Sequence, residues 1–124
     1  MKLLLDTHAA LWFVSGDERI SQAAHRHLID RSNVVLLSAV VVLEISIKRS
    51  LGKLRVSDEY LDLLLGAGVQ PLPLSIAHAS AVEHLPRHHR DPFDRMLVAQ
   101  ASVEGAAVVS RDEAMRPYDV TLIW

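Results

Sequence analysis

The stretch His89–Glu104, HRDPFDRMLVAQASVE, predicts the place where a loop becomes a helix, and the fold can be built outward from it. Asp91 has the character of an N-cap, and Pro92 is a residue type favoured at the first helical position. Gly105 follows the stretch and can end the helix in a left-handed conformation. We therefore predict a helix from Pro92 to just before Gly105, with its start held by Asp91.

The second aspartate of this stretch lies on the side of the helix that is expected to face the interior. Asp94 shares one helical face with Val98 and Ala101, which are both apolar. A carboxylate that points toward the interior needs a partner, because burial without one is costly. The alternative is that Asp91 and Asp94 only complement the helix dipole, which contributes about 0.3–1 kcal/mol.

Length and composition predict a single domain. The 124 residues, 1–124, are enough to bury a hydrophobic core without covalent support. The sequence contains no cysteine, which excludes a disulfide framework and thiolate metal sites and is typical of a reducing cytosol. Its formal charge of -2 gives no bulk attraction to nucleic acid. A polyanionic partner would therefore need local basic groups or metal ions.

The apolar content predicts association with another protein surface and no membrane partner. Hydrophobic residues make up 50% of the sequence, which favours a buried subunit or partner surface. The first residues, MKLLLDTHAALWFV, contain an apolar run that is interrupted by Asp6 and His8 and is too short to span a membrane. We interpret this start as a first strand and not as an export signal.

Hydrophobic periodicity and turn residues predict strands that alternate with helices. Extended segments are expected at 2–5, 34–37, 69–74, 106–109 and 120–123. Helices are expected at 9–14, 21–30, 39–51, 57–65, 75–84 and 92–104, with a helical turn at 111–116. This alternation favours right-handed crossovers, and hence a three-layer α/β/α sandwich around a short, mainly parallel sheet of about five strands.

Acidic residues are expected at one edge of this sheet. Asp6 directly follows the first predicted strand, Asp112 comes just after the fourth, and Asp94 is in the first turn of the helix that leads into the fourth. Ligands of such sheets bind outside the carboxyl ends of the strands. Glu44 belongs to the group because it is the only charged residue in the run SAVVVLEISI, on a helix that begins at the same edge. The alternative for Glu44 is a surface pair with Lys48, worth about 0.2–0.5 kcal/mol.

Four carboxylates at one edge indicate a site for a hard metal ion. One pair of such charges about 4 Å apart costs about 4 kcal/mol at an effective dielectric of about 20, so a compensating cation is needed. Carboxylates without thiolates favour Mg²⁺ or Mn²⁺, and one or two ions could activate a water for attack on a phosphate. Nearby basic residues are candidate phosphate contacts, with ordinary solvated surface as the alternative for each. They are Lys48, Arg90, Arg95 and Arg111.

Four ordered sequence blocks resemble the PIN-domain ribonucleases of the VapC toxin family. The blocks are LLLDTHAALWFV, EISIKRSLGKL, HRDPFDRMLVAQA and VVSRDEAM, and together they span essentially the whole chain. The resemblance implies a Mg²⁺- or Mn²⁺-dependent endoribonuclease toxin of a prokaryotic cytoplasm. It also implies a homodimer that cleaves cellular RNA and is neutralised by a cognate antitoxin, whose docking face we expect on the helices of residues 38–65.

The resemblance also assigns roles to residues by their position. The implied catalytic and metal-binding residues are Asp6, Glu44, Asp94 and Asp112. Ser110 stands where a Ser or Thr supports the site in this family. Thr7, His8 and Asp91 lie beside the acids in the sequence and are expected to position them or the substrate. For His8, a purely structural contact is the alternative.

Other functions fit the sequence less well. Three histidines, His84, His88 and His89, could bind zinc, but their irregular spacing favours exposed loop residues. A receiver-type phosphoacceptor domain would need adjacent acids after the first strand and an acceptor Asp after the third, where the sequence has DTH and VQPLPLS. A hydrolase of the haloacid dehalogenase type would need a second acid where His8 stands. A non-catalytic PIN-like interaction module would not need all four acids.

Overall fold

Five parallel strands form the centre of the protein in a computed structural model that describes residues 1–88 and 91–124. The strands are β1 (Lys2–Leu5), β2 (Val34–Ser38), β3 (Gln70–Leu72), β4 (Ala107–Val109) and β5 (Leu122–Ile123). Their order across the sheet is β3-β2-β1-β4-β5. The predicted phosphate contact Arg90 and the predicted loop histidine His89 lie outside the described residues.

Six α-helices are found in the described ranges, each close to a predicted position. They are α1 (Thr7–Ser15), α2 (Gln22–Ile29), α3 (Ala39–Ser50), α4 (Tyr60–Gly66), α5 (Ile76–Ala81) and α6 (Pro92–Glu104). The helix predicted at 75–84 ends earlier, because its last part is a 3-10 turn at Val82–His84. The turn predicted at 111–116 is also a 3-10 turn, at Glu113–Met115. No helix in the described part of the chain has the length and apolarity needed to cross a bilayer.

Strand β1 lies at the centre of the hydrophobic core. Leu3, Leu4 and Leu5 are all fully buried, although successive side chains of a strand point to opposite faces of the sheet. Both faces are therefore covered, as is usual for parallel sheets. This confirms the predicted α/β architecture with helices on the two sides of a parallel sheet.

Strand β3 is shorter than the extended segment predicted at 69–74 and lies at one edge of the sheet. It contains Pro71, which pairs in register with Leu37 of β2. Proline has no N–H to donate to a second neighbour, so it is tolerated in a strand that has only one. The position of Pro71 thus agrees with β3 being an outer strand.

The strand order reverses direction between β1 and β4. From β1 the chain moves outward to β2 and β3, and it then returns to the other side of β1 to form β4 and β5. Leu5 pairs with Val109, so the carboxyl ends of β1 and β4 lie side by side. The connections leave these two ends in opposite directions, which opens a crevice of the kind where such sheets bind ligands.

A buried polar contact joins β2 to α6. The Ser38 hydroxyl donates to Oε1 of Gln100 and accepts from the Val40 amide at 2.9 Å, and both side chains are fully buried. Nε2 of Gln100 donates to the Pro73 carbonyl at 3.3 Å. The Ser38 hydroxyl therefore provides a hydrogen-bond partner both for an amide at the start of α3 and for the buried Gln100 side chain of α6.

A second polar contact joins α5 to the end of α6. Nδ1 of the buried His78 accepts from the Ser75 amide at 3.0 Å, which leaves Nε2 to donate to Glu104 at 2.9 Å. Nζ of Lys2 lies 3.7 Å from the same carboxylate. The hydrogen bond from His78, with a smaller contribution from Lys2, holds the pKa of Glu104 below its ordinary value of 4.5.

Replacement of the buried hydroxyl should destabilise the fold. Ser38→Ala leaves Oε1 of Gln100 buried without its donor and removes the cap of α3, so we expect a loss of about 1–3 kcal/mol in the free energy of unfolding. The matched control is Ser46→Ala, whose hydroxyl bonds only its own helix at Val42 on an exposed face; it should change stability by less than about 0.5 kcal/mol. Urea denaturation measures both, and equal losses would contradict the prediction.

The Glu104 contact should make stability depend on pH. Because the pKa of Glu104 is lowered on folding, its contribution is fully present above pH 4.5 and is lost as the pH falls through the lower pKa of the folded state. The difference in unfolding free energy between the wild type and Glu104→Gln should therefore shrink as the pH falls below 4.5. Urea titrations at a series of pH values test this, and a difference that grew on acidification would disprove it.

Candidate functional site

Asp6 lies at the carboxyl end of β1, in the crevice between β1 and β4. Its amide donates to the Val109 carbonyl at 3.1 Å, which extends the pairing of the two strands by one residue. Its carboxylate accepts from the Ala9 amide at 2.8 Å and so caps α1. Ser110 and Asp112 follow β4 on the other side of the crevice and lie close enough to affect the pKa of Asp6. The structure thus brings these three predicted residues together.

The Asp6 carboxyl is buried, with only 8% of the residue exposed. This burial raises the pKa of Asp6 above its ordinary value, and the charge of Asp112 acts in the same direction. The side chain of Ser110, the Ala9 amide and the nearby His8 oppose the rise. A carboxylate in this setting is more stable when a cation lies beside it.

Ser110 and Asp112 form a short turn after β4. The fully buried Ser110 hydroxyl accepts from the Asp112 amide at 3.0 Å. Asp112 itself is exposed and accepts from the Ala114 amide at 3.0 Å, which caps the 3-10 turn. One oxygen of each aspartate, Asp6 and Asp112, is therefore oriented by a backbone amide.

Glu44 lies on α3 and is also buried, with 8% of the residue exposed. Its Oε1 accepts from the Thr7 hydroxyl at 2.8 Å, and its Oε2 accepts from Nζ of Lys48 at 2.7 Å. The pair with Lys48 that we considered as an alternative therefore exists. It is not a surface pair, because the carboxylate is in the interior and is also held by the residue that follows Asp6.

The two aspartates at the start of α6 have different environments. Oδ1 of Asp91 accepts from the Phe93 amide at 2.9 Å and from the Asp94 amide at 3.4 Å, which confirms the predicted N-cap. Asp94 is partly buried, on the helical face that continues with the buried Val98 and Ala101, as expected. Asp91 therefore caps the helix, while Asp94 lies on its interior-facing side.

Lys48 connects the acids of α3 and α6. The Glu44 carboxylate, with smaller contributions from Asp91 and Asp94, raises the pKa of Lys48. The acids therefore form two neighbouring groups, one around Asp6 and one around the Lys48 ammonium. Within residues 1–88 and 91–124, no three acidic or histidine side chains are arranged to hold one metal ion together. The oxygen-only donor set nevertheless fits the chemistry of a hard cation.

Arg95 has a role that the sequence did not predict. Its two terminal nitrogens donate to the carbonyls of Pro86, Val82 and Leu85 and to the Tyr118 hydroxyl, at 2.8 to 3.4 Å. These bonds engage most of the donors of the guanidinium. Arg95 therefore holds the segment that precedes α6. These hydrogen bonds explain the position of its guanidinium group without a bound phosphate.

Two of the three histidines considered as zinc ligands, His84 and His88, lie within the described residues. His84 ends the 3-10 turn after α5, and His88 packs edge-on against the Tyr118 ring at 5.2 Å.

An aromatic cluster beside the acids was not predicted. The His8 ring stacks on Trp12, with centroids 5.3 Å apart and planes inclined by 18°, and Trp124 contacts Trp12 edge-on at 5.8 Å. The guanidinium carbons of Arg19 and Arg111 lie 4.7 and 4.6 Å from the Trp12 ring centre. The spacing of His8 and Trp12, four residues apart on one helix, could have revealed the first of these contacts.

A carboxylate fixes one of the two arginines. Asp17 accepts from Nε and from a terminal nitrogen of Arg19 at 3.0 and 2.7 Å. These bonds, together with the more distant Arg111, lower the pKa of Asp17 to about 2.

The overall structure is similar to solved toxin-antitoxin proteins of low sequence identity. VapBC2 from Rickettsia felis, bound to a DNA fragment from its promoter, has a TM-score of 0.73 at 14% identity, over 98% of this chain and 97% of that chain. DNA-bound VapBC from Salmonella typhimurium has a TM-score of 0.69 at 17% identity, over 98% and 96%. VapC20 from Mycobacterium tuberculosis, a Sarcin-Ricin loop cleaving toxin, has a TM-score of 0.63 at 21% identity, over 93% of each chain.

A sequence comparison with curated proteins finds no match. A family model of the PIN domain, in contrast, matches residues 3–120. That match covers nearly the whole chain and includes every acid of the crevice. The chain therefore belongs to the PIN domain family.

Proposed function

We propose that this protein is a metal-dependent endoribonuclease toxin that is neutralised by a cognate antitoxin. The observation that carries the proposal is the meeting of Asp6, Ser110 and Asp112 at the β1/β4 crevice of a PIN domain. The similar fold of VapC20, a Sarcin-Ricin loop cleaving toxin, and of VapBC toxin-antitoxin complexes supports the choice of RNA as substrate and of an antitoxin as partner. A prokaryotic cytoplasm is the compartment that this function requires.

Mg²⁺ or Mn²⁺ is the proposed cofactor, with one or two ions per site. The residues that would hold it are Asp6, Glu44, Asp94 and Asp112. When bound, the metal would supply a Lewis acid that activates water and neutralises the charge that develops on the cleaved phosphate. The raised pKa of Asp6 supports this proposal, because a buried carboxylate gains more from a neighbouring cation than an exposed one does.

The protein's own side chains would position the acids and the RNA. Thr7 donates to the Glu44 carboxylate, and Ser110 accepts from the backbone amide of Asp112, so these contacts hold Glu44 and the turn that carries Asp112. Lys48 is already drawn toward the acids and is the proposed contact for the phosphate next to the cleaved bond. We propose Arg111 and Arg90 as further phosphate contacts, on the strength of their positions beside Asp112 and Asp91 in the sequence.

Exposed apolar residues on two helices are the proposed contact surface for protein partners. On α3, Leu43 and Ile47 are 49% and 41% exposed, and Leu63 of α4 is 50% exposed. Exposed apolar residues that lie together favour association with another protein, because contact removes their side chains from water. We propose that the antitoxin covers it, and that the toxin itself forms a homodimer.

Incubation with mixed RNA, with EDTA or with Mn²⁺, tests the central proposal. The expected result is cleavage that requires the metal and is absent with EDTA. A receiver-type phosphoacceptor or a non-catalytic PIN-like module would cleave under neither condition.

The two aspartates of α6 should separate activity from stability. Asp94→Asn should reduce RNA cleavage by several orders of magnitude and leave the fold as stable or more stable, because it removes one of several repelling charges. Asp91→Ala should instead lower the unfolding free energy by about 0.5–2 kcal/mol through loss of the cap and retain much of the activity. A stable, inactive Asp91→Ala protein beside an active Asp94→Asn protein would reverse the two roles.

Metal binding should stabilise the wild type more than a variant without Asp6. Because a ligand of the folded state raises stability by linkage, Mg²⁺ or Mn²⁺ should raise the melting temperature of the wild type. Asn can still cap α1, so Asp6→Asn should fold normally but lose most of the metal-induced shift. Thermal melts with EDTA and with each metal provide the measurement. Equal shifts in both proteins would argue against Asp6 as a ligand.

A further inference from the structure

Three exposed, flat side chains surround Trp12 and form what we call the stacking platform: His8, Arg19 and Arg111. Trp12 is itself 7% exposed and therefore unable to serve as the contact surface. It instead supports the imidazole and the two guanidinium groups, which lie against its ring. Since these three residues are exposed, the faces that do not contact Trp12 are available to a ligand.

The stacking platform adjoins the acids of the crevice. His8 comes two residues after Asp6, and Arg111 directly precedes Asp112. His8 is also close enough to Asp6 to oppose the rise in the pKa of that carboxyl that its burial causes. A chain molecule with one phosphate at the acids would therefore place a neighbouring unit on the platform.

A groove continues away from the platform on the side of α1 and α4. It has a volume of about 540 Å³, and His8 and Arg19 line it together with Arg55 and Tyr60. The platform is therefore open to this groove on one side. A flexible chain that leaves the acids can pass over His8 and enter a groove that presents one further cation, Arg55.

The chemistry of the platform fits an unpaired nucleobase. Single-stranded RNA is bound through bases that stack on aromatic rings or on guanidinium planes, while the cations interact with the backbone. An acidic peptide would use the charges but would not need flat groups laid against an indole. A purely apolar ligand would not need the arginines.

We propose that the stacking platform binds an unpaired nucleobase of single-stranded RNA next to the phosphate at the acids. This inference rests on the proposed RNA substrate and names the part of the protein that holds one base of it. His8 supplies the aromatic face, and Arg111 supplies a plane and a charge. Asp17 keeps Arg19 against Trp12 through two hydrogen bonds.

The test measures RNA binding without cleavage. Wild-type protein in EDTA is titrated against a fluorescein-labelled oligouridylate, and against a series in which a single abasic position is moved along the strand. The abasic strands keep every phosphate and lose one base. Anisotropy gives affinity, and quenching of tryptophan fluorescence reports on the platform directly, because both tryptophans of the sequence, Trp12 and Trp124, are in this cluster.

One abasic position should weaken wild-type binding by about 5- to 100-fold, the usual effect of losing one stacked base. His8→Ala should cause a similar loss with the intact strand and no further loss with that abasic strand. His8→Phe keeps a ring and should bind within about threefold of the wild type. Arg111→Lys keeps the charge but not the plane, so it should weaken binding, and Arg111→Ala, which loses both, should weaken it further.

Arg31→Ala is the matched control, because Arg31 is an exposed arginine that precedes the amino end of β2, whereas the crevice lies at the carboxyl ends of the parallel strands. It should bind like the wild type. The inference is wrong if His8→Ala and Arg111→Lys bind intact RNA as well as Arg31→Ala does, or if they keep RNA affinity and lose a protein partner. Wild-type protein that neither binds nor cleaves RNA would overturn the proposed function as well. Cleavage by the wild type together with unchanged affinity in both variants would overturn the platform alone.

Discussion

The pairing of β1 with β4 is the constraint on which the site depends. These strands come from opposite ends of the chain, and their register is continued by the hydrogen bond from Asp6 to the Val109 carbonyl. A shift of one residue would turn every side chain to the other face. The three leucines of β1 are fully buried, so a shift would carry Lys2 or Asp6 into a core position that a leucine now fills, and the cost of burying that charge opposes it. The hydrophobic core therefore determines where Asp6 lies relative to Ser110.

Several acidic residues in and near the crevice are oriented by N-cap hydrogen bonds, the same interactions that begin helices. Asp6 caps α1, Asp91 caps α6, and Asp112 caps a 3-10 turn, each through backbone amides. A cap restricts the rotation of the side chain, so these acids are partly ordered before any ligand arrives. Lys48 of α3 offsets part of the charge of a second set of acids, Glu44, Asp91 and Asp94. The arrangement combines ordered acids with a cation that is itself 44% exposed.

The sequence predicted those parts of the structure that follow from local rules. The α6 helix begins at Pro92 and ends at Gly105, where φ is 64°, because caps and glycine act within a few residues. The strand and helix pattern, and the side of α6 on which Asp94 lies, followed from periodicity in the same way. Contacts between distant segments were missed. Arg95 binds carbonyls of a segment whose path is set by tertiary packing, and Arg111 reaches Trp12 only because β4 lies beside β1.

Pro71 has a consequence for how the folded protein meets other chains. A parallel sheet with a hydrogen-bonding outer strand can recruit a strand from a neighbour, which is the usual first step in edge-to-edge aggregation. Strand β3 interrupts its outer row of donors with Pro71 and is followed by a second proline, Pro73. At the opposite edge, β5 is two residues long and offers little backbone to extend. A chain with half its residues hydrophobic is therefore protected from β-polymerisation by geometry, while its exposed helical leucines stay available for side-chain contacts.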